Sequence, residues 1–455
     1  MAVTVLSNFE ILLASDAQLS VVGSFFSLAD WHSIRKTSKN CKTNVDRWIT
    51  EEMHTFIEHL KGTNASTLLI FGNHGVYRNN KQDNLVSEKF LNPAPILRFS
   101  FNALGYDATK REIIGKPWSL LPSSNQQPSG LGRIDPIVIA TNDDGSEIMY
   151  CGGYGVAKNN NRWLPSSEIM FETASSKAGL FDVKTASWSS LPSMPYGRSK
   201  AGVCRVGSRI IIIGGETGDD SGDSGLTYTR SVLCFDTINK EWVDNGIPDF
   251  PGRAFAGFAV VVNNNHQIFV AGGEIITEYH VALGPLIGKS REVYSFNISS
   301  KVWSRLPDLP EHMATGGCLS CNGFLMTDPR NTGDNRAYPT FSLGRRSAYL
   351  EVDEFGMFGW KELADMPTDD GRESEFSIAR FGGGKMAAFF ESFSNRLFDA
   401  RLNKWWTIPS PKHQQGSLDI GLKLADSNDD EVLVYLGKPD TTIAVTMKQS
   451  KNQHV

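Results

Sequence analysis

The chain lacks the features that would direct it to a membrane, out of the cell or onto nucleic acid. Its 455 residues have a net charge of −5, so no basic excess offers a footprint for DNA or RNA. No apolar run is long enough to cross a bilayer. No Lys or Arg precedes Arg35, and Asn8 and Glu10 interrupt the apolar start, unlike a secretory signal. With 40% hydrophobic residues, we expect a large soluble globular protein of the cytoplasm or nucleus.

Residue types that carry chemistry are few and scattered. The six cysteines sit mostly singly in strand-like runs, which indicates reduced thiols and not a disulfide framework. Cys318 and Cys321 are three apart, so on a strand they would face opposite sides, and no second pair completes a zinc site. The nine histidines are dispersed, and no phosphate loop or nucleophile elbow is present. The sequence predicts no catalytic residues, no metal and no cofactor.

What the chain does contain is a tryptophan that recurs ahead of a proline turn. From Trp188 onward it returns at intervals of roughly 45 to 60 residues, the size of one structural unit in a repeat protein. The instances are Trp118 before Leu121-Pro122, Trp188 before Leu191-Pro192, Trp242 before Ile247-Pro248, Trp303 before Leu306-Pro307, Trp360 before Met366-Pro367, and Trp405-Trp406 before Pro409.

Each central unit also contains a diglycine that ends a β-forming run. The pairs are Gly152-Gly153, Gly214-Gly215 and Gly272-Gly273. A variable loop, an alternating strand and a short turn lead from each pair to the tryptophan strand, and a strand of small residues opens the next unit. Four short strands per unit at this period predict the blades of a β-propeller, with the tryptophan filling the wedge between blades.

These residues resemble the kelch repeat. The best unit runs from Gly197-Arg198 through Ile210–Gly215 and Phe235-Asp236 to Trp242. The resemblance covers roughly residues 66 to 447 and implies a kelch-type propeller. Six tryptophan–proline ends favour six blades. Three C-terminal runs, 417–425, 431–437 and 441–447, look like further strands. If one or two of them complete the first blade the count is six, and if all three join Thr67–Phe71 as a blade of their own the count is seven.

Residues before the ring follow a helical period instead. Ser15 and Gln18 form a capping-box pattern, Ser27 and Asp30 a second helix start, and a stripe from Val45 to Leu60 suggests a third helix. We therefore divide the chain into a helical segment at 13–62, a propeller at 63–447 and a tail at 448–455.

This N-terminal segment resembles an F-box. The residues that carry the resemblance are Ala14-Ser15-Asp16-Ala17-Gln18-Leu19, Val22-Gly23-Ser24-Phe25-Phe26, Asp30-Trp31 and Ile34–Lys39. It departs from the family pattern at the opening Leu-Pro, here Ala14-Ser15, and at the closing Trp. An F-box followed by kelch blades implies the substrate-recognition subunit of a Skp–cullin–F-box ubiquitin ligase. Adaptor contact would then fall to Leu19, Val22, Phe25, Phe26, Leu28, Trp31 and Ile34.

Basic residues recur just after the proline turns. They are Arg133, Arg198, Arg253, His312 and Arg372. Equivalent positions share one face of a propeller, so these groups could surround one channel mouth and bind an acidic or phosphorylated protein substrate. Arginine here is also part of the kelch pattern, and the side chains could instead hydrogen-bond loop carbonyls. The long loops 216–229 and 274–290 are further candidates for recognition.

Three functional hypotheses follow. The first is the ligase substrate receptor, which does no chemistry itself. The second is a kelch scaffold whose N-terminal helices bury their aromatic side chains on the ring. The third is a propeller enzyme such as a copper oxidase, which would need a Tyr–Cys pair and histidine ligands meeting at the axis.

Overall fold

A computed structural model of the chain describes residues 51, 53–58, 67–79, 86–89, 96–110, 112–121, 124–125, 127–131, 135–157, 170–217, 227–244, 246–252, 259–262, 267–280, 284–309, 318–321, 324–327, 345–352, 358–366, 376–381, 386–391, 395–399, 404–408 and 432–445. Within these ranges the chain is almost entirely antiparallel β-sheet, as predicted, with helix at residue 51 and residues 53–58. No helix in these ranges is long and apolar enough to span a membrane.

The strands fall into six consecutive sets. The first contains β1 (Thr67–Asn79), β2 (Val86–Lys89), β3 (Ile96–Ser100), a 3-10 turn (Phe101–Ala103), β4 (Leu104–Asp107), β5 (Glu112–Gly115) and β6 (Trp118–Leu121). The second contains β7 (Ile137–Ala140), β8 (Glu147–Cys151), β9 (Tyr154–Ala157), β10 (Met170–Ala174), β11 (Ala178–Asp182) and β12 (Ser187–Leu191). The third contains β13 (Gly202–Val206), β14 (Arg209–Ile213), β15 (Glu216–Thr217), β16 (Thr227–Tyr228), β17 (Val232–Asp236) and β18 (Glu241–Val243).

The remaining sets complete the chain. The fourth contains β19 (Ala259–Val262), β20 (Gln267–Ala271), β21 (Glu274–His280), β22 (Gly284–Lys289), β23 (Val293–Asn297) and β24 (Val302–Leu306). The fifth contains β25 (Cys318–Cys321), β26 (Phe324–Thr327), β27 (Arg345–Val352) and β28 (Phe358–Met366). The sixth contains β29 (Phe376–Phe381), β30 (Met386–Glu391), β31 (Asn395–Asp399) and β32 (Lys404–Ile408), and the last strand is β33 (Val432–Val445).

Each set forms a blade, and the blades form a closed ring. Blades 2, 3, 4 and 6 are four-stranded sheets in sequence order, and in blade 5 β26 neighbours β27 between two hairpins. The innermost strands β7, β13, β19, β25, β29 and β33 each contact the next one, and β33 contacts β7. The described strands therefore make a six-bladed propeller, the count that the sequence favoured.

The C-terminal strand closes the ring. β33 pairs antiparallel with β1, from Thr67 opposite Val445 to Arg78 opposite Val432, and supplies the innermost strand of blade 1. The sequence predicted two strands here, at 431–437 and 441–447. They are one strand, with register shifts near Gly72 of its partner. The third predicted strand, 417–425, lies outside the described residues.

Both faces of blade 3 are buried, which explains its continuous apolar run. Along Ile210–Ile213 the side chains alternate between two clusters. Ile210 and Ile212 pack against blade 2, whereas Ile211 and Ile213 pack against blade 4. A strand covered on both sides needs apolar residues at every position, so a period-2 pattern disappears from the second strand of the blade.

In blades 3 to 5 the recurring tryptophan joins its blade to the one before it. Its indole N–H donates to the carbonyl of the proline turn in the preceding blade: Trp242 to Pro192 at 2.9 Å, Trp303 to Pro248 at 3.1 Å and Trp360 to Pro307 at 3.1 Å. The indole N–H of Trp188 in blade 2 is buried without a hydrogen-bond partner. In blades 3 and 4 the ring also packs on a phenylalanine of the neighbouring third strand, as Trp242 does on Phe235 with centroids 5.0 Å apart. The same tryptophan side chain thus fills the space between two blades and hydrogen-bonds to the preceding blade.

The proline turn has a second anchor that the sequence analysis missed. In blades 2 to 4 the residue two positions after the proline is apolar and buried, and its N–H donates to the carbonyl just before the blade's third strand. The pairs are Met194 with Ser176, Phe250 with Arg230 and Leu309 with Arg291. The turn is therefore hydrogen-bonded to its own blade. Its proline carbonyl accepts a hydrogen bond from the tryptophan of the next blade.

The indole hydrogen bond can be tested at blade 3. Trp242→Phe removes the N–H and keeps an aromatic ring beside Phe235, so we expect the free energy of unfolding in urea to fall by about 0.5–1.5 kcal/mol. Ile238→Ala is the control, since Ile238 is 76% exposed and its loss should stay within about 0.5 kcal/mol. Equal stability of the two variants would contradict an interblade role for the indole.

Candidate binding face

Two kinds of connection share one face of the ring. In an antiparallel blade the link from one blade to the next and the connection from the second to the third strand lie at the same ends of the strands. The contacts agree: Ser199, in the link into blade 3, and Glu216, just after β14, exchange two backbone hydrogen bonds of 2.9 Å. We call this the link face. It brings together the two recognition candidates from the sequence, the link arginines and the long loops.

Of the five basic residues predicted to line the channel mouth, Arg198 is the one that lies within the described ranges. Its side chain is fully buried (0% exposed), and its guanidinium donates to the carbonyls of Gly214 and Ser231, both at 2.9 Å, and to the Ser231 hydroxyl. The guanidinium carbon also lies 4.8 Å from the centre of the Tyr196 ring. Burial lowers the pKa of Arg198, and the nearby Tyr196 and Asp249 oppose that shift.

The main chain of Arg198 binds the other blade. Its N–H donates to the carbonyl of Ser175 at 3.2 Å, and its carbonyl accepts from the N–H of Gly153 at 2.8 Å, both in blade 2. Since its guanidinium binds blade 3, Arg198 connects two blades. The sequence left open whether these basic side chains bind a partner or hydrogen-bond to backbone carbonyls. Arg198 makes the second kind of contact.

The diglycine is required by the same link. Gly152 and Gly153 have φ of 67° and 80°, in the left-handed region, and a Cβ on Gly152 would lie 2.2 Å from the Arg198 carbonyl oxygen. Gly214 and Gly215 repeat this, with φ of 59° and 104°. The glycines are therefore needed for their backbone conformation and for the close approach of the link strand.

A buried polar cluster follows the diglycines of blades 2 and 3. The Glu216 side chain is 1% exposed; its carboxylate accepts from the Tyr154 hydroxyl at 2.5 Å and pairs with the Lys200 ammonium at 3.1 Å. Burial, and then the hydrogen bond to Glu216, raises the pKa of Tyr154. A buried carboxylate is tolerated only when it is paired, so this cluster holds the first residues of two neighbouring hairpins together.

The position of Lys200 has a strained backbone. Lys200 and Asp135, at equivalent places in the links into blades 3 and 2, have φ of 49° and 50°, which is uncommon for residues other than glycine. The N–H of Lys200 also donates to the carbonyl of Asp135 at 3.3 Å. The two links therefore meet directly at the link face.

Hairpins extend the sheets at this face. In four blades the connection between the second and third strands contains a hairpin. β1 pairs with β2 in blade 1, β9 with β10 in blade 2, β15 with β16 in blade 3 and β21 with β22 in blade 4. The prediction that 216–229 and 274–290 are loops without structure of their own was wrong, because both contain paired strands. In blade 6, by contrast, only residues 392–394 separate β30 from β31.

The other predicted site residues lie outside the described ranges. These are the adaptor residues Leu19, Val22, Phe25, Phe26, Leu28, Trp31 and Ile34, and the link residues Arg133, Arg253, His312 and Arg372. Their roles stay predictions. Tyr154, Lys200 and Glu216 were missed, although the position after each diglycine could have been compared between repeats.

Three thiols in the described part, those of Cys151, Cys204 and Cys234, are buried in the blades and form no disulfide. Burial raises the pKa of Cys151 despite the nearby Arg198. Among the described residues, no group of three or more His, Cys, Asp or Glu side chains could hold a metal ion.

Comparison with protein families identifies the repeat. The Kelch motif model matches residues 197–244, the unit in blade 3 that carried the resemblance. The chain therefore contains a kelch repeat, within a mainly β fold of antiparallel blades.

Two curated proteins and one solved structure are similar to this chain. Kelch-like protein terF of Aspergillus terreus is 27% identical over 252 residues, 53% of this chain and 46% of that protein. F-box/kelch-repeat protein OR23 of Arabidopsis thaliana is 25% identical over 265 residues, 51% of this chain and 58% of that protein. The matches thus span about half the length of each relative. The structure titled "Structure of YjhT" shares 16% identity with a TM-score of 0.42, covering 65% of this chain and 81% of that one.

Arg198 offers a test of its structural role. In Arg198→Ala the carbonyls of Gly214 and Ser231 lose a charged donor; at about 1–3 kcal/mol per orphaned group, we expect about 2–5 kcal/mol less stability in urea unfolding. Arg198→Lys should recover only part, because an ammonium cannot reproduce the fork of the guanidinium.

The exposed neighbour Arg230 provides the matched control. Arg230→Ala should change the free energy of unfolding by no more than about 0.5 kcal/mol. If Arg198→Ala is as stable as this control, the side chain is free for a partner, and the recognition role would be favoured.

Proposed function

We propose that this chain is the substrate-recognition subunit of a Skp–cullin–F-box ubiquitin ligase, working in the cytoplasm or nucleus. The N-terminal segment would bind a Skp-type adaptor and through it the cullin, and the propeller would hold a protein substrate. The chain would do no chemistry, and it would act by raising the effective concentration of substrate near the ligase. The kelch motif and the F-box/kelch-repeat relative support this proposal.

The observation that carries the proposal is the separation of two surfaces. The helix at 53–58, which follows the F-box-like residues, packs near β4, and β4 belongs to the connection between the third and fourth strands of blade 1. In an antiparallel blade that connection lies on the face opposite the link face. An adaptor held by the N-terminal segment would leave the link face and its hairpins open to a substrate.

The chemistry of the substrate follows from the link residues. Because the Arg198 guanidinium is occupied by backbone carbonyls, a preference for an acidic or phosphorylated substrate would rest on Arg133, Arg253, His312 and Arg372. We propose no nucleic-acid or membrane partner, since the chain has a net charge of −5 and no basic excess.

One observation favours a second candidate, a kelch scaffold without a ligase link. Such a scaffold requires the N-terminal helices to bury their apolar side chains on the ring, and Met53, Phe56 and Ile57 do so. The described helix belongs to the third predicted stretch, whereas the proposed adaptor contacts belong to the first two, so both functions are compatible with it. A propeller enzyme remains the third hypothesis, and metal analysis of the purified chain tests its copper-oxidase form.

The decisive experiment is a pull-down of the full chain with a purified Skp-type adaptor. We expect wild type to bind and Phe25→Asp/Phe26→Asp to lose at least about 30-fold in affinity, the effect of removing one interface hot spot. The control is Ile238→Asp, which places an equivalent charge on an exposed turn of blade 3.

Thermal denaturation of each variant shows whether the propeller stays folded. Adaptor binding that survives the double substitution would refute the assignment of the adaptor residues. If the folded wild-type chain binds no adaptor, the ligase proposal fails and the scaffold takes its place.

A further inference from the structure

Two adjacent tryptophans on β32 have different tasks. Trp405 lies opposite Phe398 with ring centroids 4.7 Å apart, the same cross-strand pair that the repeat forms in blades 1 to 4. Trp406 faces the other side of the strand, where its ring stacks on Phe56 with centroids 4.4 Å apart and planes 20° apart. Trp405 is therefore the repeat tryptophan, and Trp406 receives the N-terminal helix.

The helix touches two blades at once. Phe56 packs on blade 6, while the His54 ring meets Tyr106 of blade 1 edge-on at 5.5 Å. The two blades also contact each other here, through β32 and β5. Met53, Phe56 and Ile57 are buried, whereas the remaining described residues of the helix, Glu51, His54, Thr55 and Glu58, are exposed. The apolar stripe of the helix thus lies against the wedge between the last blade and the first.

The ring closes next to this wedge. Within blade 1, β33 from the C-terminal end of the propeller sequence pairs with β1 from its N-terminal end, and β33 also contacts β29 of blade 6. Bringing such distant segments together costs chain entropy, which favourable contacts at the junction must offset. Side chains from the helix add an aromatic stack and buried area at this point.

We propose that residues 53–58 are a second closure element of the propeller, acting beside β33, with Trp406 as their docking residue. The helix would hold blade 6 against blade 1 and resist opening of the ring at this junction. Resting on the proposed function, the inference also tethers a bound adaptor to the blade 6–blade 1 junction, since only residues 35–52 separate the last adaptor-binding residue, Ile34, from this helix. Deleting everything before residue 64 would then remove a structural part of the propeller as well as the F-box-like segment.

The test is hydrogen–deuterium exchange of the full-length chain. Phe56→Ala should speed exchange about tenfold or more in β1, β32 and β33, because losing the stack and its buried area costs more than the roughly 1.4 kcal/mol that equals a factor of ten. Exchange in β14 and β20, on the far side of the ring, should be unchanged. Thr55→Ala is the matched control: Thr55 is exposed on the same helix, and its hydroxyl donates only to the Glu51 carbonyl.

A double substitution tests the pairing itself. Because Phe56 acts through Trp406, Phe56→Ala/Trp406→Ala should exchange no faster at these strands than Trp406→Ala alone. Phe56→Leu, which keeps apolar volume and loses the stack, should give an intermediate rate. It also keeps the test open if Phe56→Ala does not fold.

The outcomes separate this inference from the proposed function. Unchanged exchange in β1, β32 and β33, or an equal increase in every blade, would overturn the closure role whatever the adaptor does. Failure of the wild-type chain to bind an adaptor would remove the ligase proposal, while localised opening in Phe56→Ala would still support the closure role.

Discussion

Each blade of this propeller has to bury both of its faces, and most of the architecture follows from that constraint. The alternating side chains of Ile210–Ile213 enter two different interblade clusters, so no blade has a core of its own. A large flat residue is needed at the outer, wider end of each wedge. Tryptophan meets this need and also carries an N–H that reaches the proline carbonyl of the preceding blade. The tryptophan therefore recurs in the sequence once for each interface between blades. A single repeat is stable only when it packs beside its neighbours.

The same constraint reaches the link face through Arg198. The link between blades passes so close to the diglycine of the blade behind that a Cβ there would collide with the Arg198 carbonyl. At this close approach the main chain binds one blade and the guanidinium binds the next. The buried Tyr154–Glu216–Lys200 cluster adds a second tie beside it. The structures that project beyond these groups at the link face are the hairpins of blades 1 to 4. Blade 6 has only a short connection at this face, so the projecting structure is asymmetric.

Local patterns predicted the parts of the fold that local interactions determine. The four strands per blade, the diglycines and the turns before each tryptophan depend on residues close in sequence, and all were visible in it. Six blades could only be favoured, because the number depends on β33 pairing with a strand from the other end of the propeller. The residue type of Arg198 was apparent but not its role, since an arginine can bind backbone carbonyls or a partner equally well. Tyr154 and Glu216 come from different repeats, and nothing within either repeat shows that they meet. The tandem Trp405-Trp406 was likewise ambiguous until the strand register separated the two faces.

Closure of the ring explains why β33 and the helix at 53–58, which are far apart in sequence, both pack at the junction of blades 6 and 1. At five junctions a covalent link leads into the full next blade, whereas at the sixth the link out of blade 6 leads only to β33, and the rest of blade 1 is held there by noncovalent contacts. At that junction β33 supplies the inner strand of blade 1, and the helix at 53–58 packs outside, on Trp406 and Tyr106. Inner and outer contacts resist different movements, since strand pairing opposes separation near the axis and the helix opposes splaying at the rim. The described helix contacts Tyr106 of β4, and β4 lies in a connection on the face opposite the link face. The proposed closure contacts of residues 53–58 are therefore made away from the hairpins of the link face.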